Sequence, residues 1–112
     1  MKIAIPLADG RLSMHFGHCE AFALMEVDEQ ARTVTATTSV TPPGHAPGVL
    51  PAWLADQGAT VIIASGMGSR AQQLFAQAGI EVVVGAQPEA PEVLASAWLE
   101  GRLTTGGNVC DH

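Results

Sequence analysis

Apolar and polar positions follow two different periods along this chain, and the change of period divides it. Lys2 to Leu7 (KIAIPL) is apolar and β-branched until Ala8-Asp9-Gly10 stops it, the pattern of a buried strand. Ala21 to Val27 predicts a second strand, and Asp28-Glu29-Gln30-Ala31 a turn. Arg32 to Val40 predicts a third, with Val34, Ala36, Thr38 and Val40 on one face and Thr33, Thr35, Thr37 and Ser39 on the other. A threonine-lined face suits water, as on an edge strand of an antiparallel sheet. These three segments form a meander.

Beyond the turn-rich stretch Pro42-Pro43-Gly44-His45-Ala46-Pro47-Gly48 the period lengthens. Leu50, Trp53 and Leu54 repeat at helical spacing, with Pro51 tolerable only in a first turn, and Gly58 ends that helix. Thr60 to Ala64 (TVIIA) reads as a continuous apolar strand, broken by Gly66-Met67-Gly68. Ala71, Leu74, Phe75 and Ala78 then give an i, i+3, i+4, i+7 stripe ending at Gly79. Ile80 to Val84 is the fifth strand. Pro91 opens a last helix with Leu94, Ala97 and Trp98 inward, and Gly101 caps it.

The order βββ-α-β-α-β-α predicts an α/β fold with a five-stranded mixed sheet and helices packed on it. Strands one to three run antiparallel; strands one, four and five run parallel. Strands one, three, four and five then point the same way, so their carboxyl ends share one edge. The loops leaving that edge carry 15–19, His45, 66–70 and 85–90. In open α/β sheets ligands bind outside the carboxyl ends, where the strand order reverses.

Bulk properties narrow the function. A length of 112 residues is that of a single domain. A formal charge of −6 disfavours nucleic acid, because Lys2, Arg11, Arg32, Arg70 and Arg102 are the only basic side chains and form no run. No apolar stretch is long enough to span a bilayer. No charged n-region with an apolar h-region precedes the first strand, so reduced thiols and a cytoplasmic location are expected.

The candidate chemistry sits in His15-Phe16-Gly17-His18-Cys19, two imidazoles and a thiol within five residues. Thiolate and imidazole are ligands that metals and metal clusters prefer. His15 and His18 are candidate metal contacts, although a single pair falls short of a closed zinc site. Cys19 directly precedes a strand and fits a small buried thiol as well as a ligand. His45 shares the predicted edge. Cys110 and His112 form a second soft pair, in a tail that fits a frayed end equally well. The chain from 102 to 109 is long enough, at about 3.3 Å per residue, to run back past the last helix.

Gly66-Met67-Gly68-Ser69-Arg70 joins a strand to a helix, exposing backbone N–H groups and a helix N-terminus, a ready anion site. Tight packing of strand on helix would explain the same glycines. Arg70 opposes the helix dipole, and a nearby anion would account for it. Met14 and Met67 offer soft contacts or core filling. Catalysis finds little support: CxxC and GxSxG are missing, and the carboxylates beyond Asp9 suggest no two-metal cluster. A Cys19 thiolate paired with His15 or His18 has no third orienting group, and no enzyme is expected.

At these residues the chain resembles the dinitrogenase iron-molybdenum cofactor biosynthesis family, which includes nitrogenase cofactor carriers and small stand-alone proteins. The matching stretches are MKIAIP at the start, HFGHCEAF at 15–22, PPGHAPGVLP at 42–51, GMGSRAQQLFAQAGIEVVVG at 66–85 and NVCDH at the end. The resemblance implies a ribonuclease-H-like α/β fold without nuclease activity. It also implies noncovalent binding of a metal–sulfur cluster of iron–molybdenum or molybdenum–copper type, or of its precursor. Cluster-assembly and acceptor proteins would be the partners. On that footing His15, Phe16, Gly17, His18, His45, Gly66, Met67, Gly68 and Arg70 contact the cofactor, with Cys19, Cys110 and His112 as further participants. A simple divalent-ion site, or a metal-free module binding an anion or partner at the same edge, would use these residues too.

Overall fold

A computed structural model describes residues 1–14, 16, 19–43, 49–103 and 105–106. The strands are β1 (Lys2–Ala8), β2 (Arg11–Leu12), β3 (Ala21–Asp28), β4 (Thr33–Val40), β5 (Ala59–Ile63) and β6 (Glu81–Val83). The helices are α1 (Val49–Asp56), α2 (Ser69–Gln77) and α3 (Pro91–Leu99). Strand order across the sheet is β4-β3-β1-β5-β6, with β2 paired to β1. The meander β1-β3-β4 is antiparallel, while β1, β5 and β6 are parallel.

The expected five strands are all present, and β2 is an addition to them. Asp9 and Gly10 both take positive φ, 54° and 77°, which makes Ala8–Arg11 a two-residue hairpin turn. Asp-Gly is a strong signal for such a turn, because both central positions need left-handed backbone. The same hairpin explains how β1 accommodates Pro6. Parallel pairing with β5 involves only Lys2, Ile3 and Ala4, so beyond Ala4 that side of β1 asks for no ladder donor. β2 covers it further on, pairing Leu7 with Leu12.

Period-two alternation sends side chains to both faces, and each face has its own core. Ala4, Phe22, Leu24 and Ile62 meet Leu50 and Leu54 of α1 and Phe75 of α2 on one side. Ile3, Ile5, Ala23, Met25, Val61 and Ile63 meet Leu94 and Ala95 of α3 on the other. The result is three layers, two helices and one helix around a sheet. The α2 stripe lies as expected, with Phe75 fully buried and Ala71, Leu74 and Ala78 half-buried. Pro91 stands in the first turn of α3, where its missing N–H costs nothing. β4 is more open than its alternation suggests: Ala36 and Thr38 are exposed along with the threonines opposite. It is the outermost strand, so its two faces have little to bury against.

Candidate functional site

The chain leaves β1 toward β3 and β4, then returns to β5 and β6 on the other side. β1 and β5 therefore form the switch point, and the loops over their carboxyl ends, 9–20 and 64–68, border it. Hydrogen bonds tie these loops together. The Phe16 amide donates to the Gly66 carbonyl at 3.1 Å, and the Cys19 amide to the Phe16 carbonyl at 3.4 Å. The Ser65 hydroxyl donates to Met14 Sδ at 3.9 Å. The loop after β6 joins through Gly85, whose amide donates to the Ser65 carbonyl at 2.9 Å. Leu12 is bound in turn to the Glu89 carbonyl at 3.0 Å.

Each described candidate has a distinct setting. Phe16 turns its ring inward, edge-on to Phe75 at 5.4 Å and 82°, and tilted against Phe22 at 6.1 Å. It anchors the histidine loop to the core. Met67 is buried in the same cluster, and its carbonyl accepts the Gln72 side-chain amide at 2.9 Å. Gly66 is buried, whereas Gly68 and Arg70 lie where the turn opens outward. Gly68 adopts φ −64°, ψ 154° and caps α2 without a side-chain bond. A Cβ there would meet nothing within 4 Å. The first backbone-to-backbone bond of the helix runs from the Gln72 amide to the Gly68 carbonyl at 3.1 Å, so the amides of Ser69, Arg70 and Ala71 lack intrahelical partners. Arg70 is exposed, and no carboxylate pairs with it or with Arg11 among the described residues. Room, amides and an unpaired guanidinium together suit an anion.

Cys19 is free and buried, at 5% exposure, in the cluster around Phe22 and Phe75. Burial pushes its thiol up, a shift that its own backbone hydrogen bond only partly offsets. A metal ligand must be the thiolate, so this setting works against a ligand role. His15, Gly17, His18, His45, Cys110 and His112 lie outside the described residues. Among the described residues no three His, Cys, Asp or Glu side chains cluster to hold a metal ion.

The sequence places 85–90 at this edge and leaves the tail long enough to return, but it does not show the contact between Gly85 and Gly106. Gly85 has φ 86°, and a Cβ on it would strike the Gly106 carbonyl oxygen. The Gly106 amide donates to the Gly85 carbonyl at 2.7 Å. The chain beyond α3 thus runs back and is clasped beside the glycine turn, glycine against glycine. A depression of about 350 Å³, lined by Met1, Glu29, Arg32, Trp98 and 99–101, lies at the opposite end of β1.

An open mixed sheet with its loops gathered over a strand-order reversal defines the class: an α/β domain with a switch-point site. A model of the dinitrogenase iron-molybdenum cofactor family matches residues 1–101, and the chain belongs to that family. An uncharacterized protein of Methanocaldococcus jannaschii is 34% identical over 106 residues, covering 92% of this chain and 89% of its own. Among solved structures, PH0822 superposes with a TM-score of 0.84 at 30% identity over 94% of each chain. The apo form of the orange protein from Desulfovibrio gigas gives 0.71 at 25% identity, over 96% of this chain and 93% of that one. No helix among the described residues is long and apolar enough to cross a membrane.

Proposed function

We propose that this protein is a noncatalytic carrier or scaffold for a metal–sulfur cluster or its precursor, of iron–molybdenum or molybdenum–copper type. The cargo sits at the switch point, and cluster-assembly and acceptor proteins deliver and receive it. The observation that carries the reading is the Phe16–Gly66 hydrogen bond, which holds the histidine loop against the glycine turn. His15 and His18 flank Phe16 in the sequence, and across that hydrogen bond stand the amides at the start of α2 and Arg70. Imidazole supplies bonds to metal. Amides and guanidinium stabilise the negative charge of sulfide-rich cargo, locally offsetting a chain charge of −6. Membership of a family named for the iron-molybdenum cofactor supports the same reading.

The test is absorption and metal content of the protein purified anaerobically by conventional chromatography. Sulfide-to-metal charge-transfer bands are expected, and they should be lost when His15 and His18 are both replaced by Ala. A colourless protein with stoichiometric zinc would overturn the cluster reading in favour of a simple divalent-ion site. Gly68→Ala sharpens the test. Its Cβ enters open space in the protein itself, so weakened loading in a fully stable variant reports obstruction of the cargo.

A further inference from the structure

Ser65 connects three segments of the ligand edge. Its hydroxyl reaches Met14 Sδ at 3.9 Å, its carbonyl holds the Gly85 amide, and its neighbour Gly66 holds Phe16. Ser65 is only 5% exposed, so water competes little for that hydroxyl. Met14, in contrast, is 46% exposed. Among the described residues only Met14 and Val93, the latter on α3, are large apolar side chains left so open. Met25 and Met67 fill the core at 0% and 1% exposure. Burying a methionine fully is worth about 1.5–3 kcal/mol, and Met14, 46% exposed, forgoes about half of that.

A thioether sulfur has two lone pairs. The Ser65 hydroxyl engages one, which orients the other. The group is neutral and soft, and it selects soft metals such as copper(I) over zinc or harder ions. It also sits next to His15 in the chain.

We propose that Met14 is a thioether donor at the mouth of the switch-point site, positioned by Ser65, and that the site therefore takes a thiophilic monovalent metal. That metal arrives either as a free ion or as the outward-facing metal of a sulfide cluster. The proposal rests on reading this edge as a metal site.

Silver(I) is the probe, because it is soft, monovalent and inert to oxidation under mild conditions. The full chain is labelled with methyl-13C methionine, giving signals from its four methionines, and Met14→Leu assigns the one at issue. Silver is titrated past two equivalents, so that both thiols of the chain are filled. The Met14 methyl signal should then shift, ahead of Met1 at the far end of β1 and with Met25 and Met67 unmoved. Met14→Leu should weaken silver binding by about tenfold, while zinc affinity stays within about twofold. Ser65→Ala should give a smaller loss for silver alone. A Met14 signal that never moves, or a Met14→Leu variant that binds silver like the parent, overturns the proposal. The double His15→Ala, His18→Ala variant separates the two levels. If it still binds zinc as the parent does, the metal-site reading itself fails. If it loses zinc while Met14 stays silent toward silver, only the thioether role falls.

Discussion

Replacing Phe16 tests whether the histidine loop is held by packing. Its ring makes an edge-on contact with Phe75 at 5.4 Å and a tilted one with Phe22 at 6.1 Å. Aromatic pairs of this kind contribute about 0.5–1.5 kcal/mol each beyond the area they bury. Phe16 is half-buried, so truncation should fall below the ~3–5 kcal/mol seen for Phe→Ala in full cores. Phe16→Ala should therefore lose about 2–4 kcal/mol. At roughly 4 °C per kcal/mol for a domain of this size, that lowers Tm by about 8–16 °C. Phe16→Leu keeps most of the apolar volume and should lose only about 1–2 kcal/mol. Calorimetry measures both shifts, and absorption of the loaded protein reads the site. Because the ring faces Phe22 and Phe75, the Leu variant should bind cargo with an unchanged spectrum. An Ala variant melting within a degree or two of the parent would refute the packing argument. A Leu variant that is stable yet spectrally altered would show that the ring touches the cargo.

Gly85→Ala should destabilise by about 1–2 kcal/mol, since φ 86° is left-handed and the new Cβ meets Gly106, whereas Gly68→Ala should be neutral in thermal melts. Deleting 106–112 removes the Gly106–Gly85 hydrogen bond and should cost about 1 kcal/mol with circular dichroism unchanged; a collapse of the fold would make the tail structural. Cys19 has a raised thiol pKa from burial, so the folded state holds its proton more tightly than the unfolded one. Its contribution is fully present below the ordinary thiol pKa and is lost as pH rises through and beyond it. Urea unfolding across that alkaline range should show a decline that Cys19→Ala lacks, and Cys19→Ala should still retain cargo.

The long elements were legible because their burial is periodic. β1 and β5 are buried on both sides and read as apolar runs, and α2 declares its stripe through Ala71, Leu74, Phe75 and Ala78. β2 was not read, although Asp9-Gly10 carries its turn signal, because two residues are too few to show alternation. Topology followed from element order, and it located the glycine turn at the carboxyl edge correctly. What sequence could not supply was the direction of individual side chains. Phe16 and Met67 lie within chemistry-bearing loops yet face the core, while Met14 faces out. Those choices depend on which neighbour, Phe75 or Ser65, the fold brings close. The tail clasp has the same origin: nothing local to Gly106 announces a partner 21 positions earlier.

The clasp bears on how the protein should be handled. Gly106 is fixed beside the glycine turn, so anything fused after His112 begins only six residues from the ligand edge. A polyhistidine tag there would stand within reach of any metal bound at that edge. Met1, at the far end of β1, is separated from that edge by the seven residues of the strand, about 23 Å. Purification handles, fluorophores and surface tethers therefore belong at the amino end, and metal contents measured on carboxyl-tagged protein would report the tag together with the site.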